Sequence, residues 1–265
     1  TPAPEPLWRP DPASAETRAA WRACPRRLLL VVPHPDDESY GPAGTLARYG
    51  RDPDCAVGML FLTSGEAATI GKERGIERSD LALLREGRLN RVVEWLGVDA
   101  LFLARLPDGG LARLPLTRLG ASIRACLDQF EPQVVLGHDP RGTNAHPDHI
   151  ASHWALRSAL AGSSVRRFAM LALGEESVRA ATPRLMFSTP RHRIHCTLEL
   201  TAEEELLKER CLLEHEAVMT MDPARSAREG MPLRLPREEC EFFGEPDGLV
   251  VLDLFHDLPE TLPPV

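Results

Sequence analysis

Leu28-Leu29-Leu30-Val31-Val32-Pro33-His34-Pro35-Asp36-Asp37-Glu38 decides the fold of this chain. A continuous apolar run ending in two valines and stopped by Pro33 reads as a strand buried on both faces. A parallel sheet covered by helices has no solvent face on which polar residues would alternate. A histidine and three carboxylates follow where that strand ends. A second stretch repeats the arrangement: the apolar run Val134 to Leu136 is followed, after a turn, by His146-Pro147-Asp148-His149.

Working outward, strands are expected over Ala56–Leu62 (ending in Thr63-Ser64-Gly65-Glu66), Leu101–Ala104, Phe168–Leu173, Ile194–Leu200 and Val250–Phe255. Helices are expected over Ala15–Cys24, Gly44–Tyr49, Leu116–Phe130 and Ala202–Met219, and from Pro147, which suits a first helical turn, to about Leu160. Another helix opens at Ser79, with Leu81, Leu84, Leu89, Val92, Val93 and Leu96 on one face and Gly97 as its stop. Asp222 to Gly248 reads as irregular loops. Strands alternating with helices predict an α/β fold, a mostly parallel sheet with helices on both faces, in a single domain. The Pro-rich start places an N-terminal arm at 1–24 and the domain at 25–265. Ligands of such sheets bind outside the carboxyl ends of the strands at a topological switch point. Both histidine clusters are therefore expected on one rim.

Composition narrows the classes. A net charge of −8 argues against nucleic-acid binding. No stretch is apolar enough to span a bilayer. The N-terminus lacks a basic-then-apolar leader pattern, and the expected location is the cytoplasm. None of the six cysteines forms a C-x-x-C pair, so buried reduced thiols are expected.

The clusters point to metal-assisted hydrolysis. His34 and Asp37 converge from a tight turn, and His149 supplies a third ligand from across the rim. This makes a two-histidine, one-carboxylate site with room for water and a substrate oxygen, as Zn2+ takes it; Fe2+ fits the same ligands. Asp36 is the expected proton acceptor from water, and His146 the expected donor to a leaving amine. Asp148 either orients His146 or stands behind a ligand. Glu38 either holds the turn or acts directly. His138, His153, His192, His195, His215 and His256 read individually as packing, surface or cap residues. A bell-shaped pH–rate profile is expected of the acid–base pair.

His34-Pro35-Asp36-Asp37-Glu38 and His146-Pro147-Asp148-His149 resemble the paired motifs of the PIG-L/LmbE-like de-N-acetylases. Thr63-Ser64-Gly65-Glu66, Arg85, Pro107-Asp108-Gly109, Lys208 and His215 also match in place. The resemblance implies a Rossmann-like fold and a mononuclear zinc site held by His34, Asp37 and His149. It implies Asp36 as general base and His146 as the partner of the leaving group. Arg85, Asp108, Asn144 and Glu66 are expected on the substrate side; Asn144 stands where some members carry Tyr. Other departures are Arg88 and the run Glu216-Ala217-Val218 after His215. The expected reaction is removal of an acetyl group from a small-molecule N-acetyl amino sugar conjugate. The alternatives are hydrolysis of another amide or an ester, or a non-catalytic metal- or sugar-binding module. Binding alone requires neither Asp36 nor His146.

Overall fold

A computed structural model describes residues 2–180, 186–219 and 236–259. The strands are β1 (Arg26–Val32), β2 (Cys55–Thr63), β3 (Ala100–Leu106), β4 (Val134–Gly137), β5 (Arg167–Ala172), β6 (Cys196–Glu199) and β7 (Arg237–Phe242). The helices are α1 (Ala15–Ala23), α2 (Asp37–Tyr40), α3 (Ala43–Gly50), α4 (Thr69–Arg74), α5 (Arg78–Leu96), α6 (Leu116–Phe130), α7 (Gly142–Ala145), α8 (Pro147–Leu160), α9 (Glu175–Ala180) and α10 (Ala202–Met219).

One sheet runs in the order β3-β2-β1-β4-β5-β7-β6. The pairs among β1 to β5 are parallel, and β7 pairs antiparallel with β5 and β6. Successive residues of a strand face opposite sides. Leu28, Leu30 and Val32 accordingly pack with α3, α5 and α10, while Leu29 and Val31 pack with α1, α6 and α8. Both faces of β1 are thus buried in hydrocarbon, which is why its sequence is uninterrupted.

Three expectations need correction. Asp222 to Gly248 is not wholly irregular: β7 lies within it, while residues 222–235 fall outside the described residues. Its three glutamates disguise it. Glu238 accepts from the backbone N–H of Gly44 and Thr45 and pairs with buried Lys208. Glu239 accepts from Gly174 N–H, and Glu241 pairs with Arg193. Val250–Phe255 forms no strand beyond a single bridge from Val251 to Cys196. Asp253 folds the chain back by accepting from Phe255 N–H, and Leu252 is 74% exposed. In α5, Leu84 turns outward at 42% exposure, and the buried stripe runs Leu81, Arg85, Leu89, Val92, Leu96. A charged side chain occupies a core position because the site needs it there. All six cysteines are free and five are buried.

The start of α10 couples fold to pH. Thr201 and Glu204 form a reciprocal cap, Thr201 N–H to Glu204 Oε2 at 2.8 Å and Glu204 N–H to Thr201 Oγ1 at 3.2 Å. Arg48 of α3 donates to both Glu204 oxygens. Burial alone pushes the Glu204 carboxyl up, but the bonds from Arg48 and Thr201 outweigh it and hold it below the usual range. A depressed folded value means stability that is present above the unfolded value of about 4.3 and lost as pH falls through the folded one. Glu204→Gln is therefore expected to lose stability at pH 7 and to show a shallower loss on acidification. Urea midpoints at pH 7 and pH 3 check this; equal acid losses in both proteins would break the linkage.

Candidate metal centre

The chain leaves β1 in one direction along the sheet and β4 in the other, so the crevice between their carboxyl ends is the switch point. His34 lies just past β1, and α7 and α8 follow β4. Here the two clusters meet. His34 Nδ1 is 3.3 Å from His149 Nε2, His149 Nε2 is 3.3 Å from Asp37 Oδ1, and His34 Nδ1 is 3.6 Å from Asp37 Oδ2. Atoms ~2.1 Å from one ion and ~90–110° apart stand ~3.0–3.4 Å from each other, and the two 3.3 Å separations at His149 Nε2 match a divalent cation. The same residues enter two overlapping candidate ligand groups, His34 with His146 and His149, and Asp37 with His138 and His149.

The surrounding groups set the tautomers this requires. His34 Nε2 faces Asp108 Oδ1 at 3.2 Å and Asp148 Oδ2 at 3.4 Å, so its proton lies there and the Nδ1 lone pair turns to the centre. His149 Nδ1 donates to Gly142 O at 3.1 Å, which frees Nε2 in the same way. Asp148 also accepts from Gly109 N–H and Leu111 N–H at 2.8 and 2.9 Å. Its carboxylate thus stands behind His34, not against the His146 ring; its backbone N–H donates to His146 Nδ1 at 3.2 Å. That bond leaves His146 Nε2 as the proton-bearing nitrogen of a neutral ring. The His146 ring lies 4.8 Å from that of His34 and 4.9 Å from that of His149, centroid to centroid.

Burial acts on every group, but unequally. Burial lowers the His34 imidazole, yet its bonds to Asp108 and Asp148 and the charge of Asp37 raise it, and the proton so favoured is the one on Nε2 facing Asp108 and Asp148. Burial drops His149 to about 3 against the pull of Asp37. Asp37 resists its own burial through His149, His138 and His34, and sits below the carboxylate range. Burial lifts Asp36 to about 6 although Arg85 opposes it. Burial and the neighbouring His34 lower His146. A raised carboxylate is the stronger base, and a lowered imidazole stays neutral.

Asp36 occupies a strained backbone, φ 146° and ψ −23°. For a residue with a Cβ this conformation persists only when its surroundings over-determine it. Asp36 N–H donates to Glu38 Oε2 at 3.0 Å, and Arg85 donates to Asp36 Oδ2 at 3.0 Å, to Gly65 O at 2.7 Å and to Pro35 O. Glu38 is fully buried and receives His215 Nε2 at 2.6 Å. Removing one partner of a buried ion pair leaves an uncompensated charge and costs about 3–5 kcal/mol. His215→Ala is expected to lose that much in urea unfolding, and His215→Gln, which keeps a donor, less. A loss under about 1 kcal/mol in the alanine variant would mean that Glu38 finds its cation elsewhere.

A cavity of about 670 Å³ opens on the centre. His34, Asp36, Asp37, Arg85, Asp108, Asn144, His146 and His149 line it. Glu66 does not; it props the wall by accepting Asp108 N–H at 2.8 Å, while Asp108 Oδ2 accepts Ala67 N–H at 2.6 Å. Arg141 is paired with Asp139 at 2.8 Å. The sequence reads His138 and His215 alike as packing, surface or cap residues, His215 with a family match besides; His138 lines the cavity and stacks on His149, and His215 pairs with buried Glu38. The available signals were the place of His138 one residue past a strand end and the place of His215 on α10.

Fold and site together define a Rossmann-like protein with a candidate metal centre at its switch point. The PIG-L family, described as GlcNAc-PI de-N-acetylase, matches residues 29–160, and the chain belongs to that family. It is similar to a 1D-myo-inositol 2-acetamido-2-deoxy-alpha-D-glucopyranoside deacetylase of Mycobacteroides abscessus, 35% identical over 159 residues, 52% of this chain and 57% of the relative. A protein of the same description from Mycolicibacterium vanbaalenii is 29% identical over 256 residues, 82% of this chain and 89% of the relative. The chain thus spans little more than half the length of the first relative and most of the second. Among solved structures, the zinc inhibited form of teicoplanin deacetylase Orf2 superposes with a TM-score of 0.62 at 18% identity, over 82% of this chain and 97% of that one. At that identity the likeness is one of fold. No helix among the described residues is long and apolar enough to cross a membrane.

Proposed function

We propose that this chain is a metal-dependent hydrolase that removes the acetyl group from a small N-acetylglucosamine conjugate. His34, Asp37 and His149 hold the ion, and Zn2+ suits their two nitrogens and one oxygen. The observation that carries the reading is the pairing of that ligand set with a proton acceptor, Asp36, and a proton donor, His146, on the wall of one cavity. A zinc ion supplies Lewis acidity there, polarising the acetyl carbonyl and bringing the pKa of water to roughly 7.

The chain's own groups do the rest. Asp36, its carboxylate oriented by Arg85, takes a proton from the attacking water. His146 offers Nε2–H to the carbonyl oxygen as negative charge grows on it. His146 keeps that proton as a hydrogen-bond donor to the oxyanion, and Asp36 passes the proton taken from water on to the departing nitrogen. Amide and water thus become acetic acid and amine, and both groups return to their starting state. Asp148 and Asp108 keep the His34 ring in register throughout.

The cavity extends past the acid–base pair along Leu171, Leu173, Met186 and Leu212, which leaves space for a group attached to the sugar. The two relatives described as deacetylases of an N-acetylglucosaminyl inositol favour the same class. Six free cysteines suit a reducing compartment, the cytoplasm. The test is acetate release by the zinc-loaded chain across free N-acetylglucosamine, its inositol and malate glycosides, and N-acetyl peptides and acetyl esters as controls. Release from the conjugates is expected to exceed that from the controls. Release from the peptides or esters alone would replace the proposed substrate class, and binding of the glycosides without release would remove the enzyme.

A further inference from the structure

His138 lies one residue beyond β4, buried and without a part in the chemistry above. Its Nε2 is 3.6 Å from Asp37 Oδ2 and has no hydrogen-bond partner among the described residues. A buried polar atom in that state is uncommon and needs an explanation. The ring lies almost flat on His149, centroids 3.9 Å apart and planes inclined by 14°. On its other edge, Nδ1 is 3.2 Å from Thr143 Oγ1.

Two roles are open to an imidazole so placed, and the stack chooses between them. The lone pair of a ring nitrogen lies in the ring plane. Two stacked rings therefore direct their lone pairs along parallel planes, whereas two ligands of one ion must converge at roughly 90–110°. With His149 turned to the centre, His138 is not a ligand beside it. It stands behind Asp37. Asp37 Oδ1 faces His149 Nε2 at 3.3 Å, and Oδ2 accepts His34 N–H at 2.8 Å. With a proton on it, His138 Nε2 faces Oδ2 from 3.6 Å, beyond hydrogen-bond length, as an electrostatic hold that leaves Oδ1 for the ion.

That proton sits on Nε2 only if Nδ1 is an acceptor, so Thr143 must donate its hydroxyl. The backbone of Thr143 is built for it. A β-branched residue at φ 62° and ψ −43° is a genuine outlier. It is held by Asp139 Oδ1, which accepts Thr143 N–H at 2.7 Å, and by Phe187 N–H, which donates to Thr143 O at 2.9 Å. The strain brings the hydroxyl to the His138 edge.

We propose that His138 is a positioning residue of the metal centre, fixing the His149 ring by stacking and facing Asp37 Oδ2 with a proton on Nε2, with Thr143 setting its tautomer. The inference rests on the metal-site reading. It is tested on the full chain by measuring zinc Kd in competition with a chelator and by recording the Co2+ absorption spectrum. His138→Phe keeps an aromatic ring on His149 and removes the donor; Kd is expected to rise about 10- to 100-fold, the usual effect of losing a partner behind a ligand. His138→Gln, with a donor near the old Nε2, is expected to recover most of the affinity. Thr143→Val is expected to shift Kd in the same direction as His138→Phe but less. The Co2+ spectrum of each variant, at saturating metal, keeps the wild-type coordination number. A His138→Phe Kd within about 2-fold of wild type in a folded protein overturns the proposal. So does a Co2+ spectrum reporting a lost ligand, because His138 would then coordinate directly. If wild type takes up no zinc, the metal-site reading falls and takes this one with it, a result visible before any variant is made.

Discussion

Asp36→Asn is expected to lower kcat on an N-acetylglucosamine conjugate by about 10²- to 10⁴-fold while leaving zinc content and KM nearly unchanged. The size of the effect follows from what the substitution removes. The amide cannot take a proton from water, but its oxygen still accepts from Arg85, so the turn survives. Asparagine is nearly isosteric with aspartate, so it asks no more of the backbone at φ 146° than the residue it replaces. The carboxylate it replaces is a strong base for its type, because burial lifts it to about 6 against Arg85. Steady-state kinetics together with metal analysis check the prediction. Turnover within a few-fold of wild type would move the proton acceptor to another group, Asp108 being a cavity-lining carboxylate beside His34 that is outside the proposed ligand set.

His149→Ala is expected to abolish stable zinc binding, with a loss larger than the roughly 10- to 100-fold that follows removal of a group behind a ligand. Two contributions vanish at once. One nitrogen ligand is gone, and the face on which His138 stacks is gone with it. The remaining His34 and Asp37 are three residues apart and close on each other without a partner from across the crevice. Elemental analysis after dialysis, with the circular dichroism spectrum as a check on folding, reads the result. Zinc retained at one equivalent would place the ion on the far side of His34, where Asp108 and Asp148 also form a candidate ligand cluster with it.

The two predictions draw on different depths of the sequence. Core strands near the switch point were readable because burial on both faces leaves no room for polar interruption: Leu28 to Val32 and Val134 to Leu136 are both strand and both fully buried. The meeting of His34 with His149 was readable for a topological reason, since segments that leave the carboxyl ends of parallel strands share a rim. Strand β7 was not readable. Glu238, Glu239 and Glu241 look like a solvated loop until Lys208, Gly174 and Arg193 arrive from distant parts of the chain to pair with them. Arg85 was visible as a family match but not as a core residue. Only the packed helix shows that its guanidinium points inward, to Asp36 and two carbonyls.

Alternation of apolar runs and the two histidine motifs were enough to specify a parallel α/β sheet and to put imidazoles and carboxylates on one rim, because local periodicity and strand direction are properties of the chain itself. Which ring nitrogen faces the centre, whether Asp148 serves His34 or His146, and how His138 comes to lie on His149 were decided only by the folded molecule. Those outcomes depend on hydrogen bonds at about 3 Å between residues far apart in sequence. No spacing along the chain encodes the orientation of a ring.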